Sequence, residues 1–276
     1  MAGSSGSNSG VREWLKANEM PSSQIEELFE QSLVGDYDDD LPWGAVHELR
    51  TIGTRAVFDK AAAWCKSPNP LYRARGADIL AQIGRTMETR KNAFPDESFA
   101  TVNQLLAVET EAQPLASAIY ALGHMDNPIA VPLIVKWAAH PNCDVRFAVA
   151  CALGSLDHDP VSIRHLLGLM QDIDEDVRDW ATFGLGNLGE TDTPEIRDAL
   201  MQRIDDPFED ARMEAFIGLG KRKDVRIIPM LLSVLDGDEV KVGYIDATEE
   251  LLGVKGDECR DWKISDYANR IRELYL

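Results

Sequence analysis

The stretch Cys143–Arg146, CDVR, decides the fold, because it returns as EDVR at 175–178, EDAR at 209–212 and DEVK at 238–241. In the better copies a leucine stands seven residues after the basic position: Leu80 after Arg73, Leu153 after Arg146, Leu185 after Arg178 and Leu219 after Arg212. Leu122 has the same relation to Leu115, and Leu49 to Pro42. Taking 42, 73, 115, 146, 178, 212 and 241 as equivalent points gives spacings of 31, 42, 31, 32, 34 and 29 residues. A fixed period of this length marks a repeat array, in which each unit buries its apolar face only against its neighbours. The long interval calls for an insertion near 85–97, where the polar run from Arg85 to Phe94 is closed by Pro95.

Each unit reads as two helices joined by a tight turn. From Thr193, TPEIRDALMQRI offers an N-cap and a proline at the first helical position, then places Ile196, Leu200 and Ile204 four apart on one face. DDPFED at 205–210 is the turn, and the second helix ends on Gly220. Glycines in this place (Gly84, Gly123, Gly154, Gly189, Gly220, Gly253) read as helix enders or points of close packing. With no alternating strand pattern, the chain is expected to be all-α, a right-handed α/α superhelix of about seven helix pairs.

These residues carry a resemblance. The Asp-x-Val-Arg opening, the small-residue pair and the Leu-Gly exit resemble HEAT repeats of the short bacterial variety also found in phycobilin lyases, over roughly residues 24–252. A closer likeness lies in DVRDWATFGL at 176–185, IRDAL at 196–200 and RMEAFIGLGKRKD at 212–224, which resemble the YibA-type HEAT proteins. Genes of that family lie beside Rhs polymorphic toxins. The resemblance therefore implies an immunity protein that neutralises a cognate Rhs toxin domain by direct binding through a concave surface. The alternatives are a phycobilin-lyase-like HEAT protein and a general protein-interaction scaffold. On this reading residues 1–10, MAGSSGSNSG, are a disordered Gly/Ser-rich N-terminus and 11–276 form one HEAT-repeat solenoid.

Counting from the basic position, helical geometry buries +3, +4 and +7: Ala118, Ile119 and Leu122; Val149, Ala150 and Leu153; Ala181, Thr182 and Leu185; Ala215, Phe216 and Leu219. The other face lines the concave surface in HEAT-like arrays. It carries Ala74, Arg75, Ser117 and Cys151, and the candidate partner-binding residues Trp43, His47, Asp78, Tyr120, Phe147, Asp179, Trp180, Phe183, Met213 and Glu214. Large aromatic side chains on a face that ought to be wet mark an interaction patch. The competing explanation is a helix turned by one residue, which tucks Trp180 or Phe147 against the next repeat.

Charge narrows the partner. The 276 residues carry 47 acidic and 28 basic side chains, a formal charge of −19. Such a surface repels nucleic acid and attracts a basic protein. Much of the acid is capping chemistry, as in Asp36, Asp38, Asp39 and Asp40, or Asp172, Asp174, Glu175 and Asp176. A surplus remains in residues 1–41, where nine acids face Arg12 and Lys16, and it draws the expected contact toward Trp43, His47 and Asp78.

Catalytic and metal motifs are not found. Asp172, Asp174 and Asp176 have the opening spacing of a calcium loop, but Val177 replaces the required glycine and Phe183 the closing glutamate. His-Glu occurs once, at His47–Glu48, where HEAT-fold di-iron hydroxylases resembling deoxyhypusine hydroxylase need several such pairs. The four cysteines, Cys65, Cys143, Cys151 and Cys259, form no CxxC pair and suit a reducing compartment. The expectation is a cytoplasmic, non-enzymatic protein with no cofactor, no metal, no nucleic-acid partner and no membrane segment, its oligomeric state open.

Overall fold

The computed structural model describes residues 21–125 and 127–276. The expected disorder of residues 1–10 and the acids Glu13 and Glu19 lie outside the described residues. Among those described every regular element is helical, and the chain divides into two compact units, the first ending at Ala130 and the second beginning at Val131.

The first unit holds three helix pairs: α1 (Ser22–Gln31) with α2 (Asp40–Ile52), α3 (Arg55–Trp64) with α4 (Pro70–Ala81), and α5 (Pro95–Val108) with α6 (Ala112–His124). The second unit holds four. Its opening helix is broken into α7 (Val131–Ile134) and a 3-10 turn at Val135–Trp137, and pairs with α8 (Cys143–Gly154). Then come α9 (Pro160–Leu169) with α10 (Glu175–Phe183), α11 (Pro194–Arg203) with α12 (Glu209–Lys221), and α13 (Ile228–Leu235) with α14 (Val242–Leu252). A last helix, α15 (Ile264–Tyr275), packs on α13 and α14. The described residues thus form seven pairs, matching the repeat count, and each unit has the stacked-pair arrangement of an α-solenoid.

Second helices stack on second helices: α2 on α4 and α4 on α6 in the first unit, and α8, α10, α12 and α14 in succession in the second. The cause is the stripe read from the sequence. Ala118, Ile119, Leu122, Val149, Ala150, Leu153, Ala181, Thr182, Ala215 and Leu219 are fully buried, with Leu185 and Phe216 nearly so. The small members let backbones approach. A Cβ placed on Gly218 would lie 2.6 Å from Gly186 Cα, and one on Gly154 would lie 3.1 Å from Gly184 Cα. Gly154 and Gly220 thus serve close packing, whereas Gly84 and Gly253 have φ of 69° and 74° and take the left-handed conformation of a helix exit.

The repeated arginine clamps consecutive turns. Arg146 donates through Nη1 to the carbonyls of His140 and Pro141 in its own turn, and bidentately to Asp172 in the next at 2.7 and 2.8 Å. Arg178 repeats this on the carbonyls of Asp172 and Ile173 and on Asp206 at 2.9 and 3.0 Å. In the first unit Arg73 holds the carbonyls of Ser67 and Pro68 and the carboxylate of Glu109. Burial would raise the Asp206 carboxyl, but hydrogen bonds from Arg178 and the Phe208 amide outweigh it and hold it below the usual range. Bidentate Arg–carboxylate pairs of this kind add geometric definition as well as energy. Several turn acids therefore hold the array together, and others cap: Asp174 accepts from the Val177 amide and Asp159 from the Val161 amide.

The long interval is occupied by a connection at 85–94. Asn92 pins it by donating to the Leu80 carbonyl at 2.7 Å and accepting from the Phe94 amide at 2.8 Å.

Candidate functional site

The site is built on α10. Asp174 caps it, Glu175 and Asp176 occupy the first turn where negative charge suits the helix dipole, and Val177 and Ala181 bury its inner stripe. That fixes Asp179, Trp180 and Phe183 on the open face of the second-helix layer. Beyond Phe183 the helix widens into a π-helical turn, Gly184–Leu188, closed by the Gly189 amide on the Gly184 carbonyl at 2.9 Å. Buried Arg222 braces this turn, donating to the carbonyls of Leu185 and Gly186 within it and to those of Gly218 and Thr191 beside it at 2.7–3.0 Å. Single π turns of this sort recur at functional sites.

Three rings run across the open face. Phe147 of α8 meets Trp180 edge-on at 5.5 Å between centroids, and Trp180 meets Phe183 edge-on at 5.4 Å. Phe147 and Phe183 are half-buried, and Trp180 remains 38% exposed. The rings pack on one another, and Trp180 is not tucked into the core.

Carboxylates border them. Burial, reinforced by Asp210, Asp176 and Asp206, pushes Asp179 up to about 6, and its Oδ1 is sealed from solvent without a donor. On α12, burial and then Asp179, Asp210 and Asp246 push Glu214 up to about 7, while Asn187 donates to its carboxylate. Neither has a cationic partner among the described residues. The nearby cations are engaged elsewhere: Arg178 on Asp206, Arg212 on the Asp206 and Pro207 carbonyls, Lys221 on the Asn187 carbonyl and Lys241 on Glu209. Met213 is half-buried over Gly243, where a Cβ would lie 3.0 Å from its sulfur.

The first unit treats its share of the candidates differently. Asp78 was expected on the exposed face, with Ala74, Arg75 and Ser117; all four are buried. The reason is Tyr37, which the turn between α1 and α2 lays over α4 and α6. Its hydroxyl donates to Asp78 Oδ2 at 2.6 Å and lies 2.7 Å from Ser117 Oγ. Arg75 stacks 3.9 Å from the Tyr37 ring centroid and 5.1 Å from that of Trp43, and donates to the Ser32 and Tyr37 carbonyls. Burial raises both Asp78 and Tyr37. Trp43 is half-buried against this cluster, Tyr120 is half-buried and His47 is exposed.

Among the described residues no group of three or more His, Cys, Asp or Glu is arranged to hold a metal ion. Nor is any helix there long and apolar enough to cross a membrane.

A family model of HEAT repeats matches residues 101–186 and 169–251. Over 246 residues, 87% of this chain and 85% of the relative, the chain is 30% identical to Protein YibA of Escherichia coli strain K12. The chain belongs to the YibA family of HEAT-repeat proteins. The X-ray structure of YibA matches 99% of this chain and 98% of its own length, with 25% identity and a TM-score of 0.68. An engineered protein, 16% identical, shares the fold at a TM-score of 0.51 over 90% of this chain and 67% of its own. In this YibA-family chain, repeat counting locates the aromatic run but misses Tyr37 and the π turn with its Arg222 cap. Only one weak signal pointed to Tyr37: it is the single aromatic residue in the acidic turn GDYDDD at 35–40.

Proposed function

We propose that this YibA-family chain is a non-enzymatic, cytoplasmic binding module that neutralises the toxic domain of a cognate Rhs-type effector. The docking face is the open side of α8, α10 and α12 in the second unit. One observation carries the reading: the run Phe147, Trp180 and Phe183 lies exposed or half-exposed beside Asp179 and Glu214, carboxylates that no cation among the described residues neutralises. Aromatic anchors beside fixed charge are the composition of an interface hot spot. A formal charge of −19 favours a basic partner, such as a nuclease domain.

The first unit supports the assignment by contrast. Its expected contact at Asp78 is filled by Tyr37, so the docking surface shifts to the second unit. A stable complex needs about 800 Å² from each partner.

The test is co-purification of the tagged chain with the product of the adjacent gene, which the proposal requires to be an Rhs-type protein. Retention in stoichiometric amount and loss with Trp180→Ala support the proposal; no retention by the wild-type chain rejects it. A tetrapyrrole absorbance acquired on co-expression with pigment would favour the lyase alternative instead.

A further inference from the structure

Resting on that reading, we propose that Trp180, Asp179 and Glu214 form a seat for one arginine side chain of the partner, its guanidinium plane laid against the indole and its charge set between the two carboxylates. In the first unit the open face of the second-helix layer already contains such an assembly: the Arg75 guanidinium lies 3.9 Å from the Tyr37 ring centroid and 5.1 Å from that of Trp43, with its Nη1 3.4 Å from Asp78. Arginine, aromatic ring and carboxylate are all drawn from one chain.

The second unit presents the same ingredients without the arginine. Asp179, one residue past the repeat arginine, and Trp180, two past it, share α10 with Phe183, and Glu214 approaches from α12. Asp179 Oδ1 is enclosed and has no donor. The neighbouring arginines, Arg146, Arg178 and Arg212, are turned away into the clamps of the turns. Half-buried carboxylates without a counter-ion are costly to keep, and an arriving cation recovers that cost. A planar guanidinium fits better than an ammonium, because it stacks on the ring while donating to carboxylates at its edge.

The probes are octa-arginine and octa-lysine, titrated calorimetrically into the full chain at matched ionic strength. The seat requires octa-arginine to bind at least tenfold more tightly than octa-lysine. Asp179→Asn with Glu214→Gln should remove at least tenfold of that affinity. The control Asp38→Asn with Glu88→Gln, which deletes the same charge from two exposed positions of the first unit, should change it less than twofold. Circular dichroism checks that both double variants stay folded. Equal binding of the two peptides, or equal loss in the two variants, overturns the seat by leaving net charge alone as the cause. If the seat is overturned while the partner protein is still captured by wild type and lost with Trp180→Ala, the protein-binding reading stands without it.

Discussion

The Tyr37 hydroxyl lies 2.6 Å from Asp78 Oδ2, forty-one residues along the chain, and closes the open face of the first unit over a buried arginine–aspartate pair. Phenylalanine at this position keeps the ring over Arg75 but leaves Asp78 without its hydroxyl donor. Tyr37→Phe is expected to lower stability by about 1–3 kcal/mol, the usual cost of orphaning a buried polar group. Urea unfolding followed by circular dichroism checks this, and partner binding should not change.

Asp206 joins two repeats. It is 2% exposed and receives Arg178, Arg203 and the Phe208 amide. Asp206→Ala leaves those donors unpaired and is expected to cost about 3–5 kcal/mol. The exposed pair Asp198–Arg226 is the control: Asp198→Ala should cost about 1 kcal/mol or less. Equal effects of the two substitutions in chemical denaturation would contradict the clamp.

Gly218 and Gly186 mark the closest approach of α12 to the π turn. Alanine usually stabilises a helix interior, yet here its methyl would stand 2.6 Å from backbone. Gly218→Ala is expected to destabilise by about 1–3 kcal/mol through overpacking, despite the better propensity. A raised thermal midpoint would show that the two backbones have room to separate.

Between pH 8 and pH 5 stability should follow Asp179 and Glu214, whose combined upward shifts outweigh the opposing one of His124, an imidazole that burial holds down to about 4. Asp179 and Glu214 titrate at about 6 and about 7 when folded, against about 3.9 and about 4.3 unfolded. A carboxyl raised on folding contributes stability that is complete below its unfolded pKa and is lost as pH climbs through the folded one. The urea midpoint should therefore rise on acidification from pH 8 to pH 5. Below about pH 4 the clamp carboxylates Asp172 and Asp206, held low in the folded state, must protonate, and stability should fall again. Asp179→Asn with Glu214→Gln should flatten the slope between pH 5 and 8; an unchanged slope would assign it to other groups.

The buried stripe was legible because a fixed offset from the repeat arginine settles which positions meet the core: Leu153, Leu185 and Leu219 are all buried. The same offsets failed at Arg75, Asp78 and Ser117, because periodicity describes a helix and its stacked neighbours, whereas Tyr37 arrives from a turn two helices away. The repeat arginine itself was recognised as a marker. Its reach into the next turn was not, since a one-dimensional pattern does not show which carbonyls and carboxylates a guanidinium meets. The π turn escaped for a related reason: Gly189, read as a helix ender, is equally consistent with an ordinary helix end. Phe147, Trp180 and Phe183 were visible as aromatic residues at outward positions, but their edge-on packing and the enclosed Asp179 required coordinates.

The central claim is that the open face of α8, α10 and α12 binds a basic protein domain. Calorimetric titration of the chain with the toxin domain proposed as its partner, for wild type, Trp180→Ala and Phe183→Ala, tests it most directly. Each substitution is predicted to weaken binding by about 2 kcal/mol or more, the scale of an interface hot spot, with helicity unchanged. Wild-type affinity in both variants would contradict the claim.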